Sequence, residues 1–183
     1  MAWTAPMTAV ANATFTAAQF NTHVRDNLLE TAPAKAANAG GYFVATGTNA
    51  IAERRGTAAA VDTAEIRNAT AYGALTTAGP AVTVTTGTRA LVTVSCEMVA
   101  GATDPATLEG RMSFAVSGAT TIASTDTVCA CRTGADVRFQ ISRTVYLTTL
   151  TAGSNTFTAQ YRTSAVATTG VTFSHREINV LPF

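Results

Sequence analysis

The chain is poor in charged residues, and this scarcity limits the kinds of partner that it can attract. Only 13% of its 183 residues are Asp, Glu, Lys or Arg, against about a quarter in an ordinary soluble domain. The formal net charge is +1 at pH 7. Binding to nucleic acid or to an anionic membrane surface depends on clustered positive charge, so we expect neither partner here.

Long apolar runs are missing as well. No stretch approaches the ~18–20 consecutive apolar residues that a membrane-spanning helix needs. The N-terminal sequence MAWTAPMTAVANATF has no basic region followed by a continuous apolar run, so it does not resemble a secretory signal. The sequence therefore predicts a protein that is made and assembled in the cytoplasm.

Cysteine and histidine are scarce, and their positions argue against a metal site. Cys129 and Cys131 form a C-x-C pair, but structural zinc takes four ligands, and His23 and His175 lie far apart in the sequence. We predict no metal site and no cofactor. Cys96 lies on the apolar face of a predicted strand, which favours a core position. A disulfide between Cys96 and one of the other cysteines stays open, although a reducing compartment disfavours it.

Sequence motifs of catalysis are also absent. The carboxylates are scattered over predicted turns and outward strand positions, without a pair spaced for acid–base chemistry. No G-x-S-x-G sequence surrounds a serine, and no glycine-rich phosphate loop precedes a helix. We therefore predict that the protein is not an enzyme and has no catalytic residues.

What the sequence does contain is one amphipathic helix, predicted over about residues 17–30. Thr16 and Gln19 have the spacing of a capping box, in which each side chain bonds to the backbone N–H of the other residue. Phe15 and Phe20 have the spacing of a hydrophobic staple. The start of the helix is therefore well defined by local chemistry.

The predicted helix carries one narrow apolar stripe. Its members recur at helical spacing and are Ala17, Phe20, Val24 and Leu28. Pro33 prevents the helix from extending much further. Because a helix of this length is marginal in water by itself, the stripe must pack on a surface. Either the protein's own domain or another protein supplies that surface, and the sequence leaves both alternatives open.

The rest of the chain has the patterns of β-structure. Residues 41–55 predict a β-hairpin around the turn TGTN. The Ala- and Thr-rich residues 56–70 predict a connector, with room for one short strand. Over residues 71–183, apolar and polar residues alternate in several short strands. The predicted fold is mainly β: an antiparallel β-sandwich or jelly roll, preceded by an N-terminal segment, residues 1–55, with one short amphipathic α-helix and the hairpin.

The period of two also predicts which strand residues face the core. These are Val92, Val94, Cys96 and Met98; Met112, Phe114 and Val116; Val137, Phe139, Ile141, Val145 and Leu147; and Phe157, Ala159 and Tyr161. Arg143 interrupts the third of these faces, so it lies either at a water-facing end of the sheet or at a subunit contact. His175, next to Arg176 and Glu177, is predicted to be a structural or interface residue rather than a ligand.

Two parts of the sequence resemble known families. The segment FTAAQFNTHVRDNLLETAPAKA, followed by GGYFVATGTNAIAER, resembles the N-terminal region of virion structural proteins of tailed phages of actinobacteria. Those proteins begin with a Trp-containing segment, here AWTAP, then a helix like FNTHVRDNLL and a short β-hairpin; the resemblance covers about residues 3–55. The layout of the remainder and its ending, FSHREINVLPF, resemble trimeric jelly rolls of the tumour necrosis factor and complement globular-head type. Phages use such jelly rolls in head fibres, decoration proteins and tail tips.

These resemblances imply a non-enzymatic structural protein of the virion, assembled in the host cytoplasm. Residues 1–55 would anchor it to the major capsid protein or to tail proteins, and residues 71–183 would form a homotrimer that projects from the particle. The first expectation is a capsid decoration or head-fibre protein. The alternatives are a minor tail protein at the tail tip that contacts the host, and a non-viral binding or adhesion module. The predicted docking and oligomer-interface residues are Trp3, Phe15, Phe20, Val24, Leu28, Arg143 and His175.

Overall fold

Two units make up the chain: an N-terminal unit, Met1–Arg55, and a sandwich unit, Gly56–Phe183. The computed structural model describes residues 3–134 and 136–183.

In the N-terminal unit a helical stretch precedes a β-hairpin. The stretch consists of α1 (Ala17–Phe20), a π-helical turn (Asn21–Arg25) and α2 (Asp26–Leu28), and a further short helix, α3 (Ala32–Lys35), follows. The hairpin pairs β1 (Tyr42–Gly47) with β2 (Ala50–Arg54) in antiparallel orientation. Asn49 lies in its turn with a φ of 55°, a conformation that Asn tolerates.

The helix differs from the prediction in two respects. It ends at Leu28 rather than near residue 30, because the backbone is extended at Thr31, with a ψ of 153°, and Thr31 is the N-cap of the next helix. Its middle is π-helical, with the N–H of Asp26 bonded to the carbonyl of Asn21, five residues back. Pro33 lies in the first turn of α3, where its missing N–H costs nothing.

The sandwich unit is built from antiparallel strands in two sheets. Its described strands are β3 (Thr57–Val61), β4 (Glu65–Arg67), β5 (Ala81–Thr86), β6 (Ala90–Ala100), β7 (Glu109–Gly118), β8 (Ala130–Thr133), β9 (Phe139–Leu147), β10 (Gly153–Thr163) and β11 (Val171–Pro182). One sheet has the order β5-β10-β7-β8 and the other β3-β11-β6-β9, with β4 also paired to β11. Successive strands mostly alternate between the sheets, as in a jelly roll. The predicted fold class, a mainly β antiparallel sandwich with one short helical stretch near the N-terminus, is confirmed.

Residues 56–70 are part of the sandwich rather than a connector. They form β3 and β4, and both strands pair with β11. The small Ala and Thr side chains hide this role in the sequence, because they alternate little in polarity. Their pairing depends on β11, which follows more than a hundred residues later in the chain, and a local pattern does not reveal it.

The predicted inward faces of three strands form the centre of the core. Each of the predicted residues on β6, β7 and β10 is at most 2% exposed. Aromatic rings pack here, with the Phe114 and Phe157 centroids 6.2 Å apart and those of Tyr161 and Phe173 5.1 Å apart. The buried hydroxyl of Tyr161 donates to the carbonyl of Gly79 at 2.9 Å, so its polar end is satisfied.

The inward face of β9 is only partly covered. Ile141, Val145 and Leu147 pack against the core, but Phe139 is 50% exposed. Val137, also predicted on this face, precedes β9 and is 50% exposed as well. β8, at the corresponding edge of the other sheet, spans only four residues against nine in β9. The sandwich is therefore open along this edge.

β11 contains a bulge that the sequence did not predict. His175 is the extra residue, with a φ of 46°, and it allows Arg176 to turn inward. Arg176 is fully buried; its guanidinium donates to the carbonyls of Thr63 and Thr77, each at 3.2 Å. Its guanidinium carbon also lies 5.5 Å from the centroid of the Tyr161 ring. The bulge thus places the Arg176 side chain where it links the loops that contain Thr63 and Thr77 to the core.

Candidate docking surface

The start of the helix has the predicted capping chemistry. The N–H of Gln19 donates to the hydroxyl of Thr16 at 3.2 Å, and the N–H of Thr16 donates to the side-chain carbonyl of Gln19 at 2.9 Å. The rings of Phe15 and Phe20 meet edge to face, with centroids 6.2 Å apart. The capping box and the hydrophobic staple are both confirmed.

The polar face of the helix is the one that packs inward. Asn27 accepts from the N–H of Thr4 at 2.9 Å and donates to the carbonyl of Thr4 at 3.0 Å. It also donates to the carbonyl of His23 at 3.0 Å, and Nδ1 of His23 donates to the carbonyl of Ala5 at 3.1 Å. These bonds hold the extended N-terminal segment against the helix.

The interior of the N-terminal unit is consequently polar. Within residues 3–55, which the structure describes, Asn27 is the one buried residue, at 4% exposure. An amphipathic helix on a globular domain normally buries its apolar stripe and exposes its polar face. Here the arrangement is reversed.

The apolar stripe is correspondingly exposed. Phe20 is 48% exposed, Val24 36% and Leu28 60%, and we call these three residues the docking stripe. Phe15 beside it is 53% exposed. A contiguous apolar surface on a soluble protein commonly marks an interaction site. The structure thus brings together four of the residues that the sequence nominated.

A groove continues this surface. Its volume is about 440 Å³, and its lining includes Pro6, Met7, Val10, Phe15, His23 and Val24. Phe15 and Val24 belong to both the groove and the exposed helix face, so the two features form one apolar surface. The extended segment that Asn27 and His23 hold in place supplies the far wall of the groove.

Trp3 lies elsewhere in the N-terminal unit. Its N–H donates to the carbonyl of Asn49 in the hairpin turn at 3.1 Å. Its side chain is 41% exposed and lines a second depression with Ala45 and Ile51 of the hairpin. The structure therefore separates Trp3 from the docking stripe and associates it with the hairpin.

Arg143 and His175 belong to the sandwich unit. Arg143 is exposed on the inward face of β9, opposite Val94 of β6. His175 lies at the bulge of β11, with its Nδ1 3.6 Å from a carboxylate oxygen of Asp62, and both side chains are well exposed. Neither residue is part of the docking stripe, so the seven nominated residues do not form a single site.

One polar cluster of the sandwich unit was missed by the sequence analysis. Asp126 accepts from Arg162, Arg111 and the hydroxyl of Tyr72, the last at 2.8 Å. Hydrogen bonding by Arg162 holds the pKa of Asp126 at about 2. A carboxylate held ionised in this way is a poor proton donor and a weak base, so the cluster fastens the 3₁₀-helix Asp126–Val128 rather than providing acid–base chemistry.

The three cysteines are free thiols. Cys96 is fully buried in the core, as the sequence predicts, and burial raises the pKa of its thiol. Burial also raises the pKa of Cys129, which disfavours the reactive thiolate. Among the described residues, no group of three or more His, Cys, Asp or Glu side chains is placed to hold a metal ion.

The described helices are too short or too polar to span a membrane. No protein-family model matches the chain, and no curated protein sequence matches it.

Solved structures are similar to the chain in fold only. The structure of the infectious bursal disease virus Gx strain has a TM-score of 0.47 and 9% identity, and that of the VP2 subviral particle of the same virus has 0.45 and 9%. Each alignment covers 75% of this chain but 36% of the viral chain. The C-terminal domain of EclA, a sugar-binding protein, has a TM-score of 0.33 and 11% identity over 94% of this chain and 99% of its own. Structural similarity at these TM-scores and identities does not indicate a function.

Proposed function

We propose that the protein is a non-enzymatic structural component of a virus particle, to which it attaches through its N-terminal unit. The observation that carries the proposal is the reversed helix, with Phe20 and Leu28 exposed and Asn27 buried. A folded unit that buries an amide and exposes a phenylalanine gains little stability from the burial of apolar surface. A partner that covers the apolar face would supply that stability.

The energetics favour a partner that covers the exposed apolar side chains of this unit. Fully burying a large apolar side chain contributes about 1.5–3 kcal/mol, and the three residues of the docking stripe are available for this. The described part of the N-terminal unit buries no apolar side chain of its own. The partner that fits is an apolar, uncharged surface, and we assign it to the major capsid protein or a tail protein of the particle.

We assign the particle to a tailed phage and the protein to its capsid decoration or head-fibre proteins. The support is the sequence resemblance of residues 3–55 described above. A minor tail protein that contacts the host is the second candidate. The loop sequences ATDP and TAGSN contain no aromatic residue on which a sugar ring would stack, and this favours decoration over host recognition.

Immuno-electron microscopy of intact particles tests both assignments. An antibody raised against the sandwich unit should label particles, and we expect the label on the head. Label confined to the tail would support the second candidate. Particles that contain no copy of the protein would contradict the proposal as a whole.

The sandwich unit itself is proposed to form a homotrimer, and the outer face of the sheet β3-β11-β6-β9 supports self-association. Leu91 of β6 lies between Tyr146 of β9 and Leu181 of β11 in the register of the sheet. Tyr146 is 51% and Leu181 38% exposed, and the ring of Phe183 lies 6.0 Å from that of Tyr146. In the adjoining row Thr93 lies between Thr144 of β9 and Asn179 of β11, and none of the three is charged; a charge appears one row further, at Glu177 opposite Ser95. This apolar row and the uncharged row beside it can meet another copy without repulsion between like charges.

A further inference from the structure

β9 is the longest unpaired edge among the two four-strand orders. It spans nine residues, whereas the other terminal strands, β3, β5 and β8, span five, six and four. In the part of the chain that the structure describes, no strand or backbone hydrogen bond reaches the side of β9 that faces away from β6. Alternate N–H and C=O groups along this side are therefore available to another strand.

The side chains of β9 increase this tendency to pair. Phe139 is 50% exposed, and Ile141, Val145 and Leu147 are only partly buried. A long edge with exposed apolar and β-branched residues is a template for the same strand of a second copy. The most extensive antiparallel pairing has a two-fold axis through the middle of β9, because among antiparallel registers only this one pairs all nine residues.

Arg143 lies at that middle position, with four residues of β9 on either side. It belongs to the inward face, opposite the fully buried Val94, yet its side chain is exposed. No described residue forms a hydrogen bond or an ion pair with its side chain. In the fully paired register, Arg143 would directly face Arg143 of the second copy.

We propose that Arg143 prevents β9 from pairing with β9 of a second copy. Like charges directly opposite each other destabilise a strand pair, and a guanidinium keeps its charge at any physiological pH. A register shifted along the strand would place Arg143 against an apolar neighbour and desolvate it without a partner. The inference rests on the sandwich unit alone and is independent of the proposed function.

The test uses four substitutions in the full chain. Arg143→Val should raise the constant for pairing between copies by up to roughly fivefold, measured by light scattering over a concentration series. Arg143→Glu keeps a like charge at the same position and should leave the molar mass at the wild-type value. Thr85→Val adds the same side chain at an exposed position of β5, an edge strand of the other sheet, and it should also behave as wild type. Arg143→Thr, which is less apolar, serves where the Val variant does not fold.

Hydrogen exchange identifies the contact that forms. In the associated Arg143→Val protein, the amides of residues 139–147 should exchange more slowly than in wild type. The proposal is overturned by association without protection of β9, by equal association of the Glu variant, or by a Val variant that stays at the wild-type mass. A Glu variant that dissociates an oligomer formed by wild type would instead identify Arg143 as a subunit contact.

Discussion

At the scale of single residues, Asn27 determines which face of the helix is inside. Its side chain takes part in three hydrogen bonds, two with the backbone of Thr4 and one with the carbonyl of His23. Leaving a buried amide without these partners would cost about 1–3 kcal/mol. The N-terminal segment and the helix are thus joined through polar groups, and this leaves the docking stripe free for another surface.

Phe20 provides the sharpest test of the docking stripe. Phe20→Ala should weaken attachment to particles by roughly 10- to 100-fold, since burying one aromatic side chain contributes about 1.5–3 kcal/mol. The melting temperature of the sandwich unit should not change, because Phe20 is 48% exposed in the isolated chain. Binding of purified protein to particles that lack it, followed by calorimetry of the same sample, measures both quantities.

Phe43→Ala is the matched control for this variant. Phe43 is a 40% exposed phenylalanine of β1, and it does not line the groove beside the docking stripe. It should bind particles as wild type does. A Phe20 variant that loses several degrees of melting temperature while it still binds normally would identify a core helix and reject the docking role.

Asp126 should make the stability of the sandwich unit depend on pH. Because Arg162 lowers the pKa of Asp126 from 3.8 to about 2 in the folded protein, the unfolded chain takes up a proton first as the pH falls. The stabilisation is therefore complete above the ordinary pKa and is lost as the pH approaches the folded value. The melting temperature of wild type should fall between about pH 5 and pH 2.

Asp126→Asn isolates this contribution. It cannot ionise, so its melting temperature should be lower than that of wild type near neutral pH and should fall less steeply in acid. If the melting temperatures of the two proteins change with pH in the same way from neutral pH into acid, the ion pairs of Asp126 with Arg162 and Arg111 contribute nothing measurable to stability.

At the scale of elements, the features that the sequence predicts are the local ones. Thr16 and Gln19 are three residues apart, so their capping box follows from spacing alone, and the core faces of β6, β7 and β10 follow from their alternation. The choice of which helix face lies inside is not a local feature. It depends on hydrogen bonds between His23 and Asn27 and the backbone of the N-terminal segment. A sequence signal for this inward face was available: His23 and Asn27 are polar and four residues apart, so they share one face of the helix.

The bulge of β11 and the Asp126 cluster also depend on contacts between residues that are distant in the sequence. Arg176 fits inside because the carbonyls of Thr63 and Thr77 accept its guanidinium, and both residues lie about a hundred positions earlier in the chain. The partners of Asp126 are similarly dispersed, at Arg111 and Arg162. Contacts between residues so far apart depend on strand order, which a single sequence pattern does not specify.

Deleting residues 1–35 tests whether attachment depends on the N-terminal helix while the sandwich unit folds without it. The strands and the core of the sandwich unit lie entirely within residues 56–183, so the truncated protein should keep its cooperative unfolding transition. It should fail to enter particles, because the docking stripe and the groove are gone. Occupancy is measured by quantifying the protein in purified particles from cells that produce only the truncated form. Normal occupancy would contradict the attachment role.

At the scale of the whole molecule, the outer face of the sheet β3-β11-β6-β9 is where we expect copies to meet. Tyr146, Leu91 and Leu181 form an apolar row across three neighbouring strands, and the adjoining row, Thr144, Thr93 and Asn179, is uncharged. Arg143 disfavours pairing through the β9 edge. Together they favour contact through the sheet face and a closed assembly of limited size over open-ended growth.

The last prediction is the size of that assembly. Sedimentation equilibrium of the purified chain at micromolar concentration should give three times the 18.8 kDa of one copy. Leu181→Arg should reduce this mass, because it places a charge in the apolar row, where a second copy would have to desolvate it. Ile66→Arg is the control, since Ile66 is a 59% exposed apolar residue of β4 outside that row. A wild-type mass near 18.8 kDa would reject the trimer. A trimeric mass that survives Leu181→Arg would keep the trimer but place its contact on another face.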